Sequence, residues 1–113
     1  MQVALSKKML AAGATAVVGA HPHVVQGIEH VEGKPIMYSL GNFVFDGFED
    51  PNAKWGWLRR VTFDRHGVVE WDAVVARMDA EGVPHLDTQA PRAHGNPRTG
   101  EIVVPKPSEI TKQ

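Results

Sequence analysis

Ala14-Thr15-Ala16-Val17-Val18-Gly19-Ala20-His21-Pro22-His23 is the stretch that decides the fold. Its first seven residues show no alternation of polar and apolar side chains and are β-branched at Thr15, Val17 and Val18. That is the pattern of a strand covered on both faces in a parallel or mixed sheet. Just upstream, Leu5, Met9 and Ala12 recur at i, i+4 and i+7 while Ser6, Lys7 and Lys8 turn away, and Gly13 suits a left-handed helix end. The reading is an amphipathic helix over residues 2–12, with Leu5 and Met9 inward, leading into a buried strand over residues 15–20.

Downstream the period changes to two. Residues 28–31 and 36–40 flank Glu32-Gly33-Lys34, a short glycine-containing turn, and predict a hairpin. Residues 42–56 mix aromatics with Gly, Asp, Asn and Pro51 without a sustained period and predict a long surface excursion. A longer hairpin follows: Trp57, Arg59, Val61 and Phe63 share one parity, Val69, Trp71, Ala73 and Val75 another, and Asp64-Arg65-His66-Gly67 turns between them. From Pro84 onward come five of the eight prolines, with Gly95 and Gly100. Residues 84–113 therefore predict a loop-like, Pro/Gly-rich tail with one short strand near 101–104, apart from a body at 1–83. The class is α/β, or α+β for the piece taken alone.

Composition narrows the partners. The chain has 113 residues, no Cys and a formal charge of −1, with no run of Lys or Arg. It lacks the electrostatic footprint that nucleic acid or an anionic membrane requires. Without thiolates, any metal must be held by His, Asp, Glu or Asn. The longest apolar stretch, residues 9–20, is broken by Gly13 and Thr15 and falls short of the roughly 20 residues of a membrane span.

His21-Pro22-His23 carries the chemistry. Pro22 confines His21 to extended backbone, and in an extended chain residues i and i+2 share a face with Cα atoms about 6.5 Å apart. Two imidazoles so placed can bind one cation or a close pair of cations. His21 also lies at the carboxyl end of the predicted strand, where ligand crevices of open α/β sheets form. Taken alone, a His-x-His is equally a loop pair held by backbone hydrogen bonds.

The neighbouring residues add to this. Gly19 to Gln26 with its His-Pro-His, Ile28-Glu29, Gly33-Lys34-Pro35-Ile36 and Tyr38-Ser39-Leu40-Gly41-Asn42-Phe43-Val44-Phe45-Asp46 closely resemble the bacterial CapA-like family of capsule, or poly-γ-glutamate, biosynthesis. The resemblance covers about residues 5–75. It implies a branch of the calcineurin-like metallophosphoesterases, with an α/β sandwich holding two divalent ions at strand ends. It further implies that His21 and His23 ligate those ions and that Gly41, Asn42 and Phe43 lie beside the metal pocket. Ala20 stands where many relatives carry another His. The family's upstream Gly-Asp and Asn-Asn-His segments, which supply its other ligands and bridging carboxylate, are absent from this sequence. The expectation is a C-terminal portion of such a protein, from an internal start or a truncated gene, inactive alone and completed by a missing N-terminal half. Cell-envelope polymer machinery is the implied partner, and the cell envelope the implied location of longer relatives.

Other residues read more plainly. The Gly41-Asn42-Phe43 loop is as well explained by an Asn amide capping its own turn as by a ligand contact. Tyr38 and Ser39 read as packing and hydrogen-bonding residues, not nucleophiles. Glu29 and His30 face opposite ways on a strand and read as solvated. Phe43, Phe45 and Phe48 with Trp55 and Trp57 read as a satellite core under the long loop more than as a channel lining. His66, His85 and His94 read as surface residues. Against the enzyme stand two other classes: a non-catalytic assembly or scaffolding factor for envelope polymer synthesis, and a non-functional gene remnant.

Overall fold

A computed structural model describes residues 2–20, 22–43 and 50–111. Helix α1 runs over Gln2–Ala11. It ends where Gly13, at φ 113°, lets its own N–H reach the Leu10 carbonyl (3.1 Å) and the Ala14 N–H reach that of Met9 (3.1 Å). These two bonds form a Schellman cap, which satisfies carbonyls that the last turn would leave orphaned.

The helix buries a different face from the one its apolar spacing predicts. Ser6 and Leu10 are buried, whereas Leu5 and Met9 are 51% and 44% exposed. Polar anchors set this roll. The Gln2 amide donates to the Tyr38 carbonyl, Lys7 pairs with Glu29, and the Lys34 ammonium caps the Leu10 carbonyl.

Three short strands follow: β1 (Val17–Val18), β2 (Ile28–Val31) and β3 (Lys34–Met37), in the order β1-β3-β2. β1 runs parallel to β3 and β2 antiparallel to it, so the sheet is mixed. The turn between β2 and β3 is two residues long, with Glu32 at φ 50° and Gly33 at φ 76°. Left-handed backbone at both positions matches a hairpin's twist, and Lys34 belongs to the strand. The predicted buried strand shrinks to an edge pair, with Val18 57% exposed. Among the described residues its partner strand is β3 alone, so its other edge is unpaired.

The second sheet is built on the predicted long hairpin, β4 (Trp55–Asp64) and β5 (Gly67–Met78), paired from Trp55↔Arg77 to Asp64↔Gly67. A register shift at Thr62/Phe63 leaves Val69 unpaired, so Val68 is buried near the turn while Phe63 is 58% exposed. The tail corrects the loop-like expectation: β6 (Pro84–Asp87), β7 (Ala93–Asn96), β8 (Glu101–Val103) and helix α2 (Pro107–Thr111) all form. β6 and β7 pair with successive parts of the free edge of β5, and β8 adds to β7. Short strands rich in Gly and Pro carry no periodic signal, and they form here because β5 offers an edge to pair with. Arg77 fastens the tail, bonding the Asp87 carboxylate (2.7 Å) and the Ile110 carbonyl (2.7 Å).

Between the sheets lies the core: Met37, Trp55, Trp57, Trp71, Ala73, Val75, Ala90, Ala93 and Ile110. Trp55 and Trp57 meet edge to face at 5.5 Å, and the Trp55 indole donates to Thr111 in α2. These two indoles are core residues, as expected, but Phe43 is 46% exposed and does not join them. Phe45 and Phe48 lie outside the described residues. The fold is mixed α+β, with strands predominating. Among the described residues, no helix is long and apolar enough to cross a membrane.

Candidate functional site

Two loops meet at the carboxyl ends of β1 and β3. The first carries Pro22 and His23; the second runs Ser39-Leu40-Gly41-Asn42. Ser39, almost completely buried, ties them: its hydroxyl donates to the Pro22 carbonyl (3.0 Å) and accepts the Gly41 N–H (3.2 Å). Ser39 is thus structural, in keeping with its reading. Leu40 and Gly41 form bridges to Val25 and Gly56, and the Trp57 N–H donates to the Leu40 carbonyl (2.8 Å). The second loop is therefore sewn to the start of β4. Gly41 is obligatory here. Its φ is 77°, and a Cβ would lie 2.9 Å from Val25 and 3.0 Å from the Trp55 carbonyl.

Asn42, buried, donates its Nδ2–H to the Ala53 carbonyl (2.8 Å). That bond fixes which way the amide faces, so Oδ1 is the atom presented to His23 Nδ1 at 2.8 Å. An amide oxygen only accepts, so His23 Nδ1 carries the proton. In the neutral ring the lone pair is then on Nε2. A histidine whose Nδ1–H is held by an oxygen is oriented as metal-ligating histidines are. The sequence brought both residues to notice but left Asn42 between a ligand contact and a self-capped turn. The structure shows it joining His23 to the Ala53 backbone.

His21 lies outside the described residues, as do residues 44–49 beyond Phe43. Among the described residues, no three His, Asp or Glu side chains gather to hold a metal. His23 fits one ligand position; a complete coordination shell requires carboxylates or imidazoles beyond this set.

Glu29 and His30 are less solvated than expected. The Tyr38 hydroxyl donates to Glu29 (2.9 Å), and burial together with that carboxylate raises the Tyr38 pKa. His30 Nε2 accepts the Trp71 indole N–H (2.9 Å) and its ring meets the indole edge on, while burial lowers the imidazole pKa. Both residues point to neighbours because the α1 and β5 surfaces close over β2. His66, His85 and His94 are exposed, as expected, with His85 paired to Asp79 and His94 to Glu101.

A cavity of about 540 Å³ opens beside the two loops, lined by Val18, Pro22, His23, Asn42, Trp57 and Arg59 among others. Arg59 was not singled out from the sequence as a site residue. Its signal was there: an arginine at an inward-facing position between Trp57 and Val61.

Comparison with known proteins is consistent with the loops. Residues 1–47 match the model of the bacterial capsule synthesis protein family PGA_cap. The chain is 56% identical over 45 residues to the capsule biosynthesis protein CapA of Bacillus anthracis, covering 40% of this chain and 11% of that protein. It is 57% identical over 42 residues to the PGA biosynthesis protein CapA of Bacillus subtilis, covering 37% and 11%. A longer match, 40% over 82 residues, joins it to the Uncharacterized protein y4sH of Sinorhizobium fredii, covering 72% of this chain and 17% of that one. The chain thus spans less than a fifth of the length of these relatives. The segment that matches the family model contains both site loops through Asn42, and over residues 1–47 the chain is similar to the CapA-like bacterial capsule synthesis proteins.

Proposed function

We propose that this chain carries the histidine part of a calcineurin-like, divalent-metal phosphoesterase site in a CapA-like protein of capsule or poly-γ-glutamate assembly. His21 and His23 would hold the metals, and the remaining ligands, including a bridging carboxylate, would come from residues outside these 113. The observation that supports this reading is the orientation of His23: Asn42 Oδ1 takes its Nδ1–H while Ala53 holds the Asn42 amide. Divalent ions, when bound, would supply Lewis-acid polarisation of a phosphoester. The chain's own residues do the positioning. Asn42 keeps the ring in one tautomer, Ser39 holds the Pro22 carbonyl, and the left-handed Gly41 brings the asparagine into reach.

The test is turnover of bis(p-nitrophenyl) phosphate by a polypeptide that joins this chain to the family's Gly-Asp and Asn-Asn-His segments. The reading expects metal-dependent hydrolysis, abolished by chelator and reduced at least about a hundredfold by His23→Ala. The 113-residue chain alone should give none, since in this reading the bridging carboxylate that offsets the repulsion between two close cations would come from outside it. Hydrolysis that survives both chelator and His23→Ala would refute the metal site. Metal binding without hydrolysis would favour the assembly-factor class.

A further inference from the structure

Helix α2 lies far along the chain from His23, yet a continuous path of backbone and hydrogen bonds joins them. The buried Trp55 indole donates to the Thr111 hydroxyl of α2 (3.0 Å). Ile110, fully buried, plugs the core to which Trp55 belongs, and the Arg77 guanidinium holds its carbonyl (2.7 Å). α2 also packs against the 3-10 turn Pro51–Ala53, which leads through Lys54 into Trp55. At the end of that turn the Ala53 carbonyl accepts the Asn42 amide N–H, and Asn42 Oδ1 accepts the His23 Nδ1–H. From the other side β5 holds the same segment, its Met78 N–H donating to the Lys54 carbonyl (2.9 Å). The Ala53 carbonyl thus sits in a clamp, with β5 as one jaw and α2 as the other.

Coupling between distant groups runs through packed and bonded contacts. A shorter route from α2 to the histidine is not packed: a cavity of about 330 Å³ opens between Pro107, at the start of α2, and Val24 and Val25, which follow His23. The path through Trp55, Ala53 and Asn42 is therefore the one that can carry position. Its two jaws differ in strength. β5 is paired on both edges, whereas α2 has five residues, too few to hold a helix unaided. It keeps its place through Ile110, Thr111 and the Arg77 bond, so it is the jaw that can open. It also lies outside residues 1–47, which match the family model. We propose that Ile110 and Thr111 are positioning residues for His23. Seated, α2 fixes the Ala53 carbonyl and, through Asn42, holds the ring as the Nδ1–H tautomer with its lone pair on Nε2. Unseated, it leaves the Asn42 amide without a fixed anchor, and the ring relaxes toward the Nε2–H tautomer that free histidine prefers. The inference rests on the proposed function only for what the oriented ring does; the orientation itself involves no metal.

The test is nitrogen-15 NMR of the imidazoles of the 113-residue chain in chelator at about pH 8.5, above the ordinary histidine range, where neutral rings report their tautomer. His23→Gln identifies the His23 signals. The native ring is expected as the Nδ1–H tautomer. Thr111→Val leaves the Trp55 indole without its acceptor, and Ile110→Ala empties the core beneath α2; each should shift the tautomer ratio at least about threefold toward Nε2–H. Thr111→Ser should restore the native ratio. Val68→Ala, a buried change at the opposite end of the β4–β5 hairpin, destabilises the chain without touching the path and should leave the ratio unchanged. If Ile110→Ala does not fold, Ile110→Val carries the same test with a smaller cavity. A native ring in the Nε2–H form, a ratio unchanged in the folded α2 variants, or an equal change in Val68→Ala would overturn the proposal. An α2-dependent tautomer in a chain whose longer form binds no metal would keep this inference and remove the proposed function; metal binding by a longer form whose ring ignores α2 would do the reverse.

Discussion

His30 occupies a strand position that alternation alone assigns to solvent, yet its Nε2 accepts the Trp71 indole proton while Nδ1 is buried without a partner. The first of these requires the neutral ring, because protonation of Nε2 would remove the acceptor that a core tryptophan uses. The unfolded imidazole titrates near 6.5, and burial holds the folded one below that value. The unfolded chain therefore takes up the proton first as pH falls. Stability from this residue is full above pH 6.5 and is lost as pH falls from 6.5 through the folded value. Urea unfolding at pH 7.5 and 5.5, followed by indole fluorescence, should show a larger acid loss for the native chain than for His30→Gln, which accepts the same bond without titrating. Equal losses would place the acid sensitivity elsewhere.

At the scale of elements, β1 survives on one pair of residues because Gly19 lets the chain pass close to β3. Its N–H reaches the Met37 carbonyl at 2.6 Å, and a Cβ there would fall 2.1 Å from the Tyr38 carbonyl oxygen. Gly19→Ala should cost about 3 kcal/mol in urea unfolding; a loss under about 0.5 kcal/mol would show that the contact relaxes freely. The elements legible in the sequence were those whose pattern is local. The two hairpins announced themselves by alternation and by Glu32-Gly33 and Asp64-Arg65-His66-Gly67 turns, and Gly13 marked its helix end. What was illegible depended on partners far along the chain. The roll of α1 is set by Tyr38, Glu29 and Lys34, and β6 to β8 exist through the edge of β5. Gly95 is a case in point. It reads as a loop residue, but it is a strand residue lying against the Trp71 indole, where a Cβ would come within 2.5 Å of the ring. Of the site, residue types and spacing brought out His23 and Asn42, but the buried, unpaired state of Arg59 became visible only when Trp57 and Trp71 closed around it.

Across the whole molecule, the mixed sheet and the larger antiparallel sheet are joined by Trp57 N–H to Leu40, the Gly41↔Gly56 bridge and the shared core around Met37 and Trp71. The candidate site sits on that seam, so the scaffold that holds His23 is the junction of the two sheets and not a free loop. Leu5, Met9 and Val18 remain exposed, apolar side chains of the kind that further chain or a partner covers. We propose that His23, oriented by Asn42, is a metal ligand in a site completed by residues outside this chain. The most direct measurement is divalent-metal affinity, by calorimetric titration with Mn²⁺, of a polypeptide joining this chain to the family's Gly-Asp and Asn-Asn-His segments. Tight binding is expected, weakened about a hundredfold by His23→Ala and about tenfold by Asn42→Ala; affinity unchanged by His23→Ala would rule His23 out as a ligand.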